Sequence, residues 1–317
     1  MKKILVLGGT GFVGRHLCEK LARLSWRVTL ATRRTESAQH LQSLPMLDVV
    51  SVDVHDPAAL ANLMAGHDAV VNLVAILHGD EARFNRVHVE LAQTIARACK
   101  TTGVKRVVHA SALGAAVEAP SMYQRSKARG ELALQHAGLD VTILRPSVIF
   151  GAEDKFLNMF AKLQQIFPII PLAGALTRFQ PVWVEDVAQA IVNSLQRSET
   201  SGLVYDICGP DILTLKQLVQ LSGQFSGVNG GKGRPVLGLP MALGRLQASL
   251  IALAPGEPLM SRDNLESMKV DNVTDGQLPG LSSLGISAVS LYVVAPSYLS
   301  KRGKRSVFQD IRALSGR

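Results

Sequence analysis

The sequence predicts an α/β protein, a doubly wound parallel sheet with a small, mostly helical C-terminal lobe. Three observations predict it. Short apolar runs of strand length alternate with stretches of helical periodicity through the first 145 residues. A glycine-punctuated loop, Gly8-Gly9-Thr10-Gly11-Phe12-Val13-Gly14, joins the first apolar run to the first helix. Beyond Arg145 the alternation breaks, and prolines from Pro146 to Pro258 punctuate shorter elements. Alternating strands and helices imply right-handed crossovers and a parallel sheet covered on both faces.

The elements follow in order. Ile4–Leu7 is a buried strand, and Arg15–Leu24 carries leucines at helical spacing. Arg27–Thr32, Val49–Asp53 and Ala69–Ala75 read as the second, third and fourth strands. A helix over Phe84–Thr102, a strand over Arg106–Ser111, a helix over Gln124–Ala137 and a strand over Asp140–Arg145 complete the series. Val204–Cys208 is a late strand able to rejoin the main sheet. The expected division is a nucleotide-binding domain over 1–150 and a substrate or partner lobe over 151–317, with a chain that can cross the boundary more than once.

Composition narrows the function classes. At 317 residues, 47% hydrophobic and 19% charged, the chain is that of a globular protein. Cys18, Cys99 and Cys208 are odd in number and form no CxxC or Cys/His cluster, which favours a reducing compartment and shows no metal site. The apolar run after Lys2-Lys3 is too short for a signal peptide, and no run reaches the roughly 18 residues of a spanning helix. The expected location is cytoplasmic, with a peripheral position at the inner membrane as the alternative. The formal charge of +9 comes with only 5% aromatics, so no nucleic-acid partner is expected. Part of the charge lies in Lys301-Arg302-Gly303-Lys304-Arg305, which reads as a solvated tail; contact with an anionic membrane surface or an acidic partner is the second reading.

Strand, glycine turn and helix at the N-terminus form the first half of a Rossmann-type dinucleotide-binding βαβ unit. Gly8 permits the tight turn, Gly11 lets backbone approach a pyrophosphate, and Gly14 lets the helix pack closely on the strand. Thr10, Phe12 and Val13 supply the intervening backbone, and the opening N–H groups and dipole of the helix favour phosphate charge. A tight turn in some other α/β protein is the plain alternative. An acid ending the second strand would select NAD, but Leu30-Ala31-Thr32-Arg33-Arg34 offers two guanidinium groups that match a 2′-phosphate. The expected cofactor is therefore NADP(H) rather than NAD(H); otherwise both arginines simply face solvent. Asp53 can accept a bond from an adenine amino group, with Val54 packing nearby, or it can start a loop. Asn72 and Ala75 end the fourth strand, where backbone lines the middle of a dinucleotide; Ala75 could equally be packing.

Ser111, Tyr123 and Lys127 form a second constellation. Tyr123 and Lys127 are four apart and project from one helix face, one turn from each other. An ammonium beside a phenol is expected to lower the phenol pKa and permit proton exchange with a carbonyl near neutral pH. Ser111 ends the preceding strand, where its hydroxyl can meet a substrate oxygen.

These residues resemble the short-chain dehydrogenase/reductase superfamily, in its extended and atypical branches. The resemblance implies that Tyr123 is the general acid/base, that Lys127 holds the nicotinamide ribose and that Ser111 orients substrate. Arg145-Pro146-Ser147-Val148-Ile149-Phe150-Gly151 looks like the family loop that closes beside the nicotinamide, which adds Pro146 to the cofactor set. Pro181-Val182-Trp183-Val184-Glu185-Asp186-Val187-Ala188 matches a segment common in those branches, although Trp183 can be core and Asp186 a helix cap. Downstream, Ser261-Arg262-Asp263-Asn264-Leu265, Val270-Asp271-Asn272-Val273, Leu284-Gly285-Ile286 and Ala295-Pro296-Ser297-Tyr298-Leu299 are similar to the atypical, NAD-dependent epimerase/dehydratase-like group that contains the nucleotide-binding accessory subunit of respiratory complex I and its bacterial relatives. In the mitochondrial subunit the nucleotide is understood to be structural, so the resemblance leaves turnover open.

The stretch Leu237–Ala254 is apolar apart from Arg245, Gln247 and Ser249. It reads as a buried helix of the lobe, or else as a docking face for a quinone-like substrate, a membrane or a partner. Two classes of function follow: an NADP-dependent oxidoreductase acting on a carbonyl or quinone-like substrate, and a non-catalytic NADPH-binding assembly protein that docks on respiratory-complex subunits. A sugar-nucleotide epimerase or dehydratase is a further alternative, disfavoured by the Arg33-Arg34 pair.

Overall fold

The computed structural model describes residues 1–240, 244 and 261–300. The chain forms two compact units: one of Met1–Ser147, Val184–Cys208 and Thr274–Ser287, the other of Val148–Trp183, Gly209–Val273 and the chain from Ala288 onward.

The first unit is built on strands β1 (Lys3–Leu7), β2 (Arg27–Thr32), β3 (Leu47–Ser51), β4 (Ala69–Asn72), β5 (Arg106–Ala110), β6 (Asp140–Pro146) and, from later in the chain, β11 (Val204–Ile207). They form one seven-stranded sheet in the order β11-β6-β5-β4-β1-β2-β3, parallel throughout. The expected late strand does rejoin the main sheet, through Val204↔Ile143 to Ile207↔Pro146. Leu5, Leu7, Val70, Val107, Val141 and Ile143 alternate onto one face, where they bury against helices α2 (Pro57–Met64), α4 (Leu91–Thr102) and α5 (Met122–Gln135). Helices α1 (Phe12–Arg23) and α7 (Val184–Gln196) pack against each other. His16 and Lys20 of α1 clasp Glu185 of α7 at 2.5 and 2.8 Å and hold its carboxyl down at about 2.

Local chemistry sets the ends of these elements. Asp56 caps α2 by accepting the Ala58 and Ala59 N–H groups, with Pro57 at the first helical position. Ser121 accepts the Gln124 N–H and starts α5 two residues earlier than predicted, at Met122. The helix expected over Phe84–Thr102 is continuous, but part of it is not α-helical. A short helix α3 (Glu81–Phe84) leads into a π-helical turn over Asn85–Glu90 before α4 begins. Gly130 of α5 accommodates that turn: a Cβ there would lie 2.4 Å from the His88 carbonyl oxygen.

The second unit contains α6 (Leu157–Ile166), α8 (Leu215–Phe225), α9 (Arg262–Ser267) and α10 (Leu291–Leu299). Its strands pair only in twos: β7 (Ile149–Phe150) with β10 (Val182–Trp183), β9 (Arg178–Phe179) with β12 (Leu213–Thr214), and β8 (Ile170–Ala173) with β13 (Val236–Leu239). Phe150, Phe160, Leu172, Leu215, Leu218 and Leu291 lie in its core. Asp154 accepts the Gly151, Leu157 and Asn158 N–H groups and the Tyr298 hydroxyl at 2.8 Å, joining the start of α6 to α10. The helix expected over Leu237–Ala254 is corrected at its start. Leu237–Leu239 belong to β13, where pairing with Pro171–Ala173 of β8 decides for a strand, and the remainder, Gly244 aside, falls outside the described residues. Among the described residues no helix is long and apolar enough to cross a membrane.

Candidate functional site

All seven strands of the sheet run parallel, so their carboxyl ends share one edge. Gly8, Arg33, Asn72, Ser111 and Pro146 all stand at or just past those ends. Gly8 has φ +80°, and Gly11 closes the turn by donating to its carbonyl at 3.1 Å. A Cβ on Gly8 would sit 3.0 Å from the backbone at Leu73 and Val74, so the chain leaving β4 passes directly against the glycine loop. Gly14 is tighter still, with a Cβ position 2.4 Å from the Cα of Gly9. Helix α1 begins with Gly11 at its N-cap, without a side-chain cap and without an acidic residue in its first turn. A bare glycine cradle facing uncapped opening amides fits the pyrophosphate of a dinucleotide. Of the remaining loop residues, Thr10 accepts Nε of Arg15 through its carbonyl, the Phe12 ring meets His16 edge-on, and Val13 is half-buried.

The residues expected to select the nucleotide divide. Arg33 and Arg34 are exposed just beyond β2, and among the described residues neither guanidinium enters an ion pair. A reciprocal pair of bonds between Thr32 and the Arg34 backbone, at 3.0 and 3.2 Å, holds their loop. Asp53 is exposed in the loop two residues beyond β3, and its Oδ1 accepts the His55 N–H at 3.0 Å, the loop-starting arrangement. Val54 is buried in the apolar core. β4 stops at Asn72, so Ala75 is an exposed loop residue and not the end of a strand. Asn72 itself is buried, accepts the Val74 N–H at 3.1 Å and donates through Nδ2 to His109 Nδ1, also at 3.1 Å. It braces the turn that lies against Gly8. Pro146 ends β6, and its carbonyl accepts the Leu113 N–H at 2.9 Å.

Ser111, Tyr123 and Lys127 are gathered by β5 and α5. The Lys127 side chain is buried, and Nζ donates to the carbonyl of Ala110, one residue before Ser111, at 2.7 Å. Ser111 is 5% exposed, and its Oγ has no partner among the described residues. Tyr123 lies one turn before Lys127, with its ring against Phe84 and His88 at 6.1 and 5.6 Å between centroids. The electrostatics differ from the simple expectation of an ammonium-activated phenol. Burial pushes the Tyr123 phenol up to about 12, because the phenolate would lose its hydration. Burial likewise brings Lys127 down to about 8, with Glu131 opposing that fall. Glu131, one turn further along α5, is itself held by Arg145 of β6 through Nε at 2.9 Å and Nη2 at 2.5 Å.

Two histidines complete this cluster without having been singled out in the sequence. His109 lies on β5, two residues before Ser111, which follows the strand end and donates its N–H to the Leu144 carbonyl of β6 at 2.7 Å. Asn72 donates to its Nδ1, and Nε2 is buried without a partner among the described residues. His88 sits in the π-helical turn, a feature with no sequence signature. Its Nε2 accepts the Ile76 N–H at 3.2 Å, and its Nδ1 meets the Ser126 hydroxyl at 2.8 Å. The structure thus links the loop after β4, the π turn and the Tyr123–Lys127 face of α5. Glu131 and Gly130 were not singled out in the sequence either, although a spacing of four from Lys127 places Glu131 on the same face of α5.

Comparison with known proteins bears on the family and the fold. The family model for the NAD dependent epimerase/dehydratase family matches residues 4–208. The mitochondrial NADH dehydrogenase [ubiquinone] 1 alpha subcomplex subunit 9 of Mus musculus is 32% identical over 297 residues, covering 90% of this chain and 76% of that protein. A ceramide reductase of Caulobacter vibrioides is 32% identical over 203 residues, 63% of each chain. Among solved structures, the dTDP-glucose 4,6-dehydratase DesIV of Streptomyces venezuelae, determined with NAD bound, superposes with a TM-score of 0.66 at 25% identity, covering 75% of this chain and 84% of that one. With its glycine cradle, its seven-stranded parallel sheet and relatives matching along most of its length, the chain belongs to the NAD dependent epimerase/dehydratase family.

Proposed function

We propose that the chain is an NADP(H)-binding oxidoreductase of the short-chain type, acting on a carbonyl or quinone-like substrate with Tyr123 as proton donor. The observation that carries this reading is the buried Lys127, fixed to the Ala110 carbonyl between the unpartnered Ser111 hydroxyl and the Tyr123 turn. When bound, the nicotinamide supplies or accepts the hydride. Gly8, Thr10, Gly11, Phe12, Val13 and Gly14 cradle the pyrophosphate, while Asn72 holds the loop beside it. Ser111 orients the substrate oxygen and Lys127 the ribose. Tyr123 is protonated at neutral pH, as a donor in the reducing direction must be. The location that suits this reading is cytoplasmic, peripheral to the inner membrane.

The adjacent Arg33 and Arg34 support NADP(H) over NAD(H), since exposed guanidinium groups at that edge match a 2′-phosphate. Replacing both with serine is expected to weaken NADPH binding by roughly 10- to 100-fold and to leave NADH binding within about twofold. Titration of nucleotide fluorescence measures both, and equal losses for the two nucleotides would remove the assignment. Tyr123→Phe is expected to keep NADPH binding and to lose at least ~100-fold in NADPH oxidation with carbonyl and quinone acceptors.

A second reading, a non-catalytic NADPH-binding protein docked on respiratory-complex subunits, is favoured by the relative that spans 90% of this chain. The same assay separates the two. Wild-type chain that binds NADPH yet oxidises it with no acceptor in the panel supports the assembly role. The lipid substrate named for the Caulobacter relative makes a long-chain carbonyl compound the first candidate for that panel.

A further inference from the structure

The second unit carries an apolar knuckle for which the proposed chemistry has no use. Helix α6 ends at Ile166, and the chain runs through Phe167, Pro168 and Ile169 into β8 with every one of these residues exposed. Ile166 is 71% exposed, Phe167 49% and Ile169 47%. β8 buries Ile170 and Leu172 and turns Pro171 outward, beside Leu237 of β13, which is also exposed. The outer face of this two-stranded sheet is thus apolar, and it leads to Leu176, 82% exposed in the turn that follows. A buried core needs none of these positions, and a contiguous exposed apolar strip is the mark of a surface that meets something else.

The surroundings are cationic. Lys162, also exposed, stands four residues before Ile166 and therefore on the same face of α6. Lys232 is exposed two residues before Arg234. The segment that follows it is tied to the knuckle by the Arg234 N–H on Gln164 Oε1, at 2.7 Å, and by the Ile170 N–H on the Pro235 carbonyl, at 2.9 Å. Among the described residues neither lysine forms an ion pair. The wider balance has the same sign: the described residues of this unit hold 8 Lys and Arg against 6 Asp and Glu, or +2.

We propose that the knuckle Ile166–Ile169, with Pro171, Leu176 and Leu237, docks on the surface of an anionic lipid bilayer, flanked by Lys162 and Lys232. Apolar side chains enter the boundary between headgroups and acyl chains, and the lysines meet the lipid phosphates, the combination that peripheral attachment uses. The charge distinguishes a bilayer from a second copy of the chain, whose matching face would be cationic as well.

The test is co-sedimentation of the full chain with phosphatidylcholine vesicles, with or without 30% phosphatidylglycerol. The unaltered chain is expected to sediment with the anionic vesicles, less at high salt, and to stay in solution with the neutral ones. Ile166→Ser/Phe167→Ser/Leu237→Ser is expected to weaken partitioning by roughly tenfold or more with NADPH binding intact, because the substitutions are solvent-exposed. Lys162→Glu/Lys232→Glu is expected to weaken it chiefly at low salt. Equal sedimentation of the unaltered and triple-serine chains would overturn the proposal, as would no vesicle binding by the unaltered chain. A dimer in sedimentation velocity that the serine variant dissociates, in a chain that ignores vesicles, would assign the face to self-association instead.

Discussion

Gly14→Ala is expected to abolish measurable nucleotide binding and to destabilise the first unit by about 3 kcal/mol or more, the upper range for overpacking against atoms that cannot move aside. The added Cβ would stand 2.4 Å from the Cα of Gly9, 2.5 Å from its oxygen and 2.6 Å from its carbonyl carbon. All three are backbone atoms of the cradle itself, so relief requires α1 to withdraw from β1. That displaces the opening amides of α1 from the place where a pyrophosphate would meet them. Gly11→Ala is the comparison. Its nearest contact, the Gly8 oxygen at 3.2 Å, is tight but tolerable, so the fold should persist while nucleotide affinity falls. Thermal melts with and without NADPH check both, and a Gly14→Ala chain that retains the wild-type NADPH shift would contradict the close packing described.

Stability is expected to fall on mild acidification, and buried histidines set the window. His88 Nε2 accepts a backbone N–H, so the ring is neutral in the fold. Burial, assisted by the Lys127 cation, brings its pKa from the ordinary 6.5 down to about 3. His109 is shifted in the same direction, again by burial first. A depressed histidine pKa means that the unfolded chain binds more protons below pH 6.5. The stabilisation is therefore complete above 6.5 and is lost as pH falls toward the folded value. The slope is up to about 1.4 kcal/mol per pH unit for each histidine, so His88 alone accounts for ~2 kcal/mol between pH 6.5 and 5. Asp154 and Asp206, whose carboxyls burial raises, oppose the trend. Urea unfolding at pH 7.5, 6.5, 5.5 and 5.0 measures the slope, and His88→Asn should flatten it. Constant stability across that range would show that neither ring is held neutral.

The residues differ in how far the sequence alone discloses them. Gly8, Gly11 and Gly14 were legible because a strand, a turn and a helix adjoin in the chain, and the conformational demand is local. Tyr123 and Lys127 were legible because a spacing of four places two side chains on one helix face wherever the helix goes. Leu237–Leu239 misread because an apolar run has no periodicity that tells a strand from a buried helix, and pairing with β8 decides between them. Asp53 and Ala75 were placed on strands that end sooner, at Ser51 and Asn72. The π turn, Gly130 and the Asn72–His109 bond were illegible, since each arises where segments distant in sequence come together.

By itself, then, the sequence determined the parallel sheet, the glycine cradle and the helix face bearing Tyr123 and Lys127, all consequences of short-range periodicity and backbone stereochemistry. Only the tertiary structure decided how far the Tyr123 phenol is removed from water. Whether the Tyr123 phenol is eased or hardened by its setting depends on desolvation, and desolvation is set by what long-range packing of β5, α5 and the π turn removes from water.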